Sequence, residues 1–343
     1  MLTTILSGGL IGLIFGFILQ RTRFCLTGGF RDMYIARNNT LFYAFLIAIT
    51  VESIGVLSLI KLGIVGNPYE DFSVLGAIVG SYLFGIGIVL AGGCATGTWY
   101  RAGEGLLGSW VALFFYMISA AAMKSGFLVP LNQLIAKRWV INDDLAVQLG
   151  IPVWYFLVLL VAITSFVVIR ELRKPRRQIA TLPSKYKGVR HYLFEKTYHK
   201  YFAGLLIGLV ALIAWPASQL TGRVGGLGIT TPSAHLISYI ITGDSKQLGW
   251  GVFLVLGIFL GSFLAAKGSR EFRWRLPDLS TIGKSTLGGI FMGIGASWAG
   301  GCTIGNGLTA TAIFSSKGWI ALPVTILGVW TASYIIFVKP NKN

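Results

Sequence analysis

Nine apolar stretches constrain the fold of this chain more than any other feature. A bilayer core about 30 Å thick is crossed by about 20 helical residues rising 1.5 Å each. Stretches of that length lie near 3–20, 41–62, 72–92, 106–127, 152–170, 201–219, 248–267, 285–301 and 318–338. Only 12% of the residues are charged, against about 25% in soluble domains. The sequence therefore predicts an all-α polytopic membrane protein with about nine transmembrane helices, forming a single integral membrane domain over 1–343.

Four glycine-rich apolar stretches between the spans are too short to cross a membrane, namely 22–38, 93–104, 224–243 and 301–316. Non-helical backbone at membrane depth is tolerated only inside protein or beside a water-filled cavity. We therefore expect these four stretches to form re-entrant hairpins or half-helices.

The distribution of basic residues predicts the orientation. Cytoplasmic loops collect Lys and Arg, and segment 170–200 holds ten of them. If this segment is cytoplasmic, nine alternating spans place 22 of the 29 basic residues inside. The N-terminus is then outside and the C-terminus cytoplasmic. The net charge of +17 is thus a topology signal and does not indicate nucleic-acid binding.

An internal repeat relates the two halves of the chain. Residues 80–97 read GSYLFGIGIVLAGGCATG and residues 288–305 read GGIFMGIGASWAGGCTIG, with nine of eighteen positions identical. The copies end the third and eighth spans, which cross in opposite directions, so an inverted repeat is expected. Its halves are 1–135 and 201–343, and the connector 136–200 contains the fifth span and the basic loop. Inverted repeats bring broken helices together at the midplane.

Three cysteines, Cys25, Cys94 and Cys302, all lie at glycine-marked helix breaks. A helix N-terminus presents free N–H groups and positive potential, which suits an anion. A thiol in apolar surroundings stays neutral, so these side chains are S–H donors suited to a substrate that carries sulfur. The alternative is that each is a small buried apolar residue. With no CxxC pair and three histidines, neither a metal nor a cofactor is expected.

The motifs RFCLTGGFRD, AGGCATGTWYRAGEG and AGGCTIGNG resemble those of the YeeE/YedE family of sulfur-compound transporters. The resemblance implies an inner-membrane inverted-repeat protein that takes up thiosulfate. It also implies an hourglass shape, closed at the middle, in which Cys25, Cys94 and Cys302 pass the ion along. A further implication is cooperation with a small cytoplasmic sulfur carrier of the TusA type.

Other residues are supporting candidates. Glu52, inside the second span, is a proton-coupling candidate or a neutral or Arg-paired residue of the bundle. Arg101 and Glu104 either guide the anion or pair with each other. Arg223 is a candidate for attracting anions on the outer side, whereas His235 is expected to be structural. Gly93, Gly301 and Asn306 lie within the cysteine motifs.

Two other functions remain open at this point. A membrane thiol enzyme, either a sulfurtransferase or a thiol oxidoreductase, requires a nucleophilic thiolate, against which the apolar setting argues. The second function is transport of sulfite, sulfide or a selenium compound by a protein of the same fold. The spread of the cysteines over both repeats favours a relay of thiols over alternating access, and the energy source is left undetermined.

Overall fold

The computed structural model describes residues 1–173, 188–196 and 198–342, and it is almost entirely helical. The helices are α1 (Leu2–Thr22), α2 (Leu26–Ile35), α3 (Thr40–Lys61), α4 (Val74–Leu90), α5 (Ala95–Gly103), α6 (Leu107–Ser125), α7 (Val129–Ala136), α8 (Leu145–Leu149), α9 (Val153–Leu172), α10 (Val189–Phe194), α11 (Lys200–Gln219), α12 (Thr230–Thr242), α13 (Trp250–Gly268), α14 (Leu279–Trp298) and α15 (Ser316–Ser333). A π-helical turn covers Gly305–Ala310, and a second one, Tyr334–Val338, continues α15.

Eight helical segments among the described residues are long and apolar enough to cross a membrane. They overlap all the predicted spans except the eighth, which corresponds to α14. That helix has 20 residues, so it is as long as its neighbours α13 and α15 or longer, but its serines, two threonines and Lys284 make it less apolar. The all-α polytopic membrane fold is confirmed.

Three of the four short apolar stretches contain half-helices, namely α2, α5 and α12. The fourth, 301–316, instead contains the π-helical turn Gly305–Ala310. No sequence pattern predicted the small structure between the fourth and fifth spans. There α7 and α8 flank strand β2 (Val140–Ile141), which pairs antiparallel with β1 (Phe72–Ser73).

Glycines allow the long helices to pack backbone against backbone. A Cβ on Gly12 of α1 would lie 2.1 Å from the carbonyl oxygen of Leu254 in α13, and one on Gly204 of α11 would lie 2.1 Å from that of Ala44 in α3. Such separations leave no room for a side chain. The small residues therefore fix which helices pair, as in other membrane bundles.

The two copies of the repeated segment pack against each other in α4 and α14. A Cβ on Gly80 would lie 2.4 Å from the amide nitrogen of Ala299, and a Cβ on Gly288 would lie 2.3 Å from that of Ala91. The two contacts are equivalent under the repeat. In the aligned segments Gly80 corresponds to Gly288 and Ala91 to Ala299, so each contact joins the same two repeat positions. Gly87 in turn faces Met292, so the two helices run antiparallel.

The loops separate into two sets at opposite ends of the bundle. The ends that follow α1, α5 and α13 meet at one end, through ion pairs described below. The basic segment joins α9 to α11 at this same end, which we call the basic face. Residues 174–187 and 197 of that segment lie outside the described residues.

Candidate functional site

The three cysteines are free thiols buried at helix breaks. Cys25 is the N-cap of α2 and Cys94 the N-cap of α5, as the glycine pattern predicted. Cys302 lies between α14 and the π-helical turn. Their exposed fractions are 6%, 3% and 2%. Each thiol therefore sits where backbone N–H groups at the start of a helical segment are free of internal partners.

The two AGGC breaks share one backbone geometry. Gly92 and Gly300 both have φ of +69°, a left-handed conformation that favours glycine. After the first break, the N–H of Gly97 donates to the sulfur of Cys94 at 3.4 Å. Each left-handed glycine thus ends the preceding helix two residues before the cysteine.

Asn306 stabilises the second break. Its Nδ2 donates to the carbonyl oxygens of Ala299 at 2.8 Å and Gly301 at 3.3 Å. A Cβ on Gly301 would lie 2.4 Å from Oδ1 of Asn306, so the glycine makes room for this amide. At the first break, a Cβ on Gly93 would lie 3.6 Å from Nη1 of Arg101. These motif residues shape the breaks around the thiols.

A cavity of about 650 Å³, which we call the vestibule, opens at the end of the bundle opposite the basic face. Cys302 lies in its wall, with Arg223, Lys317 and the glycine-rich stretch 225–228. Lys317 is paired with Asp143, at 3.8 Å between Nζ and Oδ2. Arg223 instead donates to the carbonyl oxygens of Gly225 and Gly226. Its charge has no carboxylate partner among the described residues and favours an anion in the vestibule.

Buried polar contacts join the helices behind the vestibule wall. The hydroxyl of Tyr116 donates to Oγ1 of Thr230 at 2.9 Å, and Nε1 of Trp99 donates to Oγ of Ser233 at 2.9 Å. Thr230 is itself a wall residue. Tyr116 lies near both Cys302 and Cys94. This tyrosine is therefore a neighbour of two of the three thiols.

Cys94 connects the other two thiols. It lies near both Cys25 and Cys302. Cys302 is in the vestibule wall, whereas Cys25 accepts a hydrogen bond from Arg101 near the basic face. The structure thus brings the three predicted cysteines together, with Cys94 between the other two.

An ion-pair cluster lies at the basic face, next to Cys25. Arg23 pairs with Glu104 at 2.9 Å and with Glu271 at 3.0 Å, and Gln20 donates to Glu271 at 2.6 Å. The alternative that Arg101 and Glu104 pair with each other is wrong, because Arg23 takes the carboxylate and Arg101 turns towards Cys25. Burial raises the pKa of Glu104 despite the nearby charges of Arg23 and Arg101.

Glu52 is fully buried in α3. Nε1 of Trp215 in α11 donates to its Oε1 at 2.9 Å, and Oε2 has no hydrogen-bond partner. No arginine pairs with it within the described part of the chain, so an Arg-paired carboxylate does not hold, whereas a neutral residue of the bundle and a proton-coupling residue both remain consistent with these contacts.

Sequence reasoning missed Tyr116 and Thr230. Their hydrogen bond joins residues 114 positions apart, which no local motif encodes. The polar residues Thr230 and Ser233 in the apolar helix α12 were the signal in the sequence that could have indicated these buried contacts.

Comparison with known proteins agrees with this geometry. A family model described as sulphur transport matches residues 21–331, a range that includes all three cysteine motifs. This chain belongs to that family. It is 54% identical to a thiosulfate transporter TsuA of Escherichia coli K12, over 100% of this chain and 97% of the relative. A TsuA of Spirochaeta thermophila is 33% identical, over 96% and 98% of the two chains. A probable transporter YedE of E. coli K12 matches 29% of this chain at 42% identity.

Proposed function

We propose that this protein takes up thiosulfate across the cell inner membrane, as a transporter and not an enzyme. The observation that carries the proposal is the sequence of thiols from the vestibule wall at Cys302, through Cys94, to Cys25 near the basic face. The full-length similarity to two thiosulfate transporters supports the choice of ion. The thiol-enzyme alternative requires a reactive thiolate, and the burial of all three sulfurs argues against one.

The proposed mechanism is a relay of hydrogen bonds. Arg223 attracts the dianion into the vestibule, where the neutral thiol of Cys302 donates its S–H to the terminal sulfur. The N–H groups beyond Cys94 and Cys25 offer positive potential at the next two positions. No covalent bond forms or breaks, so each thiol is ready for the next ion.

We also propose the inverted repeat and its orientation. The reciprocal contacts of Gly80 and Gly288 between antiparallel helices support two halves, 1–135 and 201–343, related by a two-fold axis in the membrane plane. The clustering of basic residues supports a cytoplasmic basic face, with the N-terminus outside and the C-terminus inside. The vestibule then faces the outside, where the ion enters, and the ends of the pathway widen as in an hourglass.

Uptake of a dianion requires an energy source. Moving one charge against 100 mV costs about 2.3 kcal/mol, so a dianion costs about 4.6 kcal/mol. Coupling to a cation or rapid consumption inside the cell would offset this cost. As a partner for consumption we propose a TusA-type carrier that receives sulfur at the basic face, while membrane lipids surround the apolar outer surface.

Uptake of sulfur-labelled thiosulfate into proteoliposomes tests the proposal. The wild type should exchange the label, whereas Cys94→Ala and Cys302→Ala should lower the rate at least about tenfold. Cys94→Ser is the matched variant, because its hydroxyl still accepts from Gly97 and can donate to the ion but lacks the polarisable sulfur. Wild-type rates in all three cysteine-to-alanine variants would contradict the relay, and inhibition by sulfite or selenite would redefine the cargo.

A further inference from the structure

Glu52 is the one carboxyl group among the described residues that is fully buried inside the bundle and lacks a cation. Its exposed fraction is 0%. One oxygen accepts from Trp215 at 2.9 Å, and the other has no partner. An unpaired buried carboxylate costs several kilocalories per mole, so the neutral acid, with a proton on Oε2, fits this site.

The groups around Glu52 do not supply a compensating charge. Helices α2, α9 and α11 and the π-helical turn Gly305–Ala310 pack on α3. Their titratable and charged side chains lie towards the helix ends: Arg31, Asp32 and Tyr34 in α2, Tyr155, Arg170 and Glu171 in α9, and Lys200 and Tyr201 in α11. None of them makes a hydrogen bond or ion pair with Glu52 among the described residues, and on α3 itself neither Tyr43 nor Lys61 does. Only the indole of Trp215 acts on the carboxyl.

Trp215 links this carboxyl to the vestibule. Its indole lies in the vestibule wall and packs under Gly226, where a Cβ would lie 2.7 Å from Nε1. The same nitrogen is the donor to Glu52. Gly226 also accepts from Arg223, the cation without a carboxylate partner. A movement of the glycine-rich stretch when an anion binds Arg223 would therefore shift the indole and open Glu52 to the vestibule.

We propose that Glu52 carries one proton inward with each thiosulfate ion. In the closed arrangement the carboxyl holds the proton. When Glu52 opens to the other side of the membrane, it releases the proton to water and becomes a carboxylate. In the next cycle this carboxylate takes up a proton from the vestibule. One proton per dianion halves the electrical work of uptake. The inference rests on the thiosulfate uptake proposed above, but it does not depend on the cysteine relay.

Proteoliposomes with the membrane potential held at zero test the proposal. If one proton enters with each ion, a pH gradient of one unit with the acid side outside should drive accumulation. The ratio of labelled thiosulfate inside to outside should then reach about tenfold. Glu52→Gln should exchange labelled thiosulfate without a gradient yet show no accumulation with one. Ser53→Ala is the matched control, since Ser53 is also fully buried with an unpartnered hydroxyl, and it should respond like the wild type.

A second variant keeps the test decisive if Glu52→Gln does not fold. Trp215→Phe retains a ring but removes the donor that stabilises the carboxylate. The outside pH at which uptake is half-maximal should then move up by about half a unit or more. Accumulation by Glu52→Gln equal to that of the wild type, or a wild type that exchanges thiosulfate but ignores the gradient, would overturn the proposal. A wild type without exchange would instead contradict thiosulfate uptake itself, and the coupling with it.

Discussion

Nη2 of Arg101 lies 3.4 Å from the sulfur of Cys25, so a guanidinium on the helix that begins at Cys94 donates to the thiol at another helix break. Nη1 of the same side chain donates to the carbonyl of Gly92, at the end of α4. Arg101 thus connects Cys25 with the helix break at Cys94. It also places a positive charge beside Cys25, the thiol nearest the basic face.

Replacing Arg101 should reduce uptake. Arg101→Ala removes the donors to Cys25 and Gly92, and charged hydrogen bonds contribute about 1.5–3 kcal/mol each. We expect at least about a tenfold loss of the thiosulfate uptake rate at an unchanged amount of protein in the membrane. The measurement is the initial rate of label uptake in proteoliposomes.

Arg31→Ala is the control for this variant. Arg31 also follows Cys25 closely, but it pairs with Asp32 at 3.1 Å and is 43% exposed. Its removal should change the rate less than about twofold. Equal rates for both variants would show that the contact of Arg101 with Cys25 has no part in transport.

The long helices and the break at Cys94 were predictable because their signals are local. A bilayer requires about 20 apolar residues per span, and a left-handed residue such as Gly92 requires glycine. The antiparallel contact of Gly80 with Ala299 also follows a repeat that is visible in the sequence.

The rest of the site depends on packing that no local pattern records. Arg23 could have paired with several acidic residues, and only the fold brings Glu104 and Glu271 to it. The hydroxyl of Tyr116 finds Thr230 because α6 and α12 pack together. Strands of two residues, such as Phe72–Ser73, are too short to show a periodic pattern.

The accessibility of the thiols should differ in a defined order. Cys302 lies in the vestibule wall, whereas Cys94 and Cys25 do not. In variants that retain a single cysteine, a membrane-impermeant maleimide added from the vestibule side should modify Cys302 at least about ten times faster than Cys94. Mass spectrometry of the intact protein measures both rates. Faster modification of Cys94 would contradict the order of the thiols along the pathway.

The contact between the two repeated helices should be sensitive to a single methyl group. A Cβ on Gly288 would lie 2.3 Å from the backbone nitrogen of Ala91, and overpacking of this kind costs about 1–3 kcal/mol. We expect Gly288→Ala to lower the melting temperature in detergent by about 5 °C.

Gly283→Ala is the comparison within the same helix. A Cβ on Gly283 would meet nothing within 4 Å, and alanine is favoured over glycine in a helix. Its melting temperature should therefore equal or exceed that of the wild type. If both alanine variants melt alike, α4 and α14 do not pack as closely as described.

The acid stability of the basic face should depend on Glu271. Burial acts to raise the pKa of this carboxyl, but the hydrogen bond from Gln20 and the charges of Arg23 and Arg21 outweigh it and hold the pKa below its usual value. A carboxyl with a lowered pKa in the folded state stabilises the protein above its unfolded value, near 4.5. That contribution is lost as the pH falls through the folded value.

Glu271→Gln imitates the protonated carboxyl, so its effect should vanish in acid. Because the side chain is 38% exposed, solvent screens the pairs, and the expected fall in melting temperature at pH 7 is only about 1–2 °C. The difference from the wild type should shrink steadily below pH 4.5 when both are melted over a pH series in one detergent. A constant difference from pH 7 to pH 3.5 would mean that the variant acts through packing and not through the charge of the ion-pair cluster.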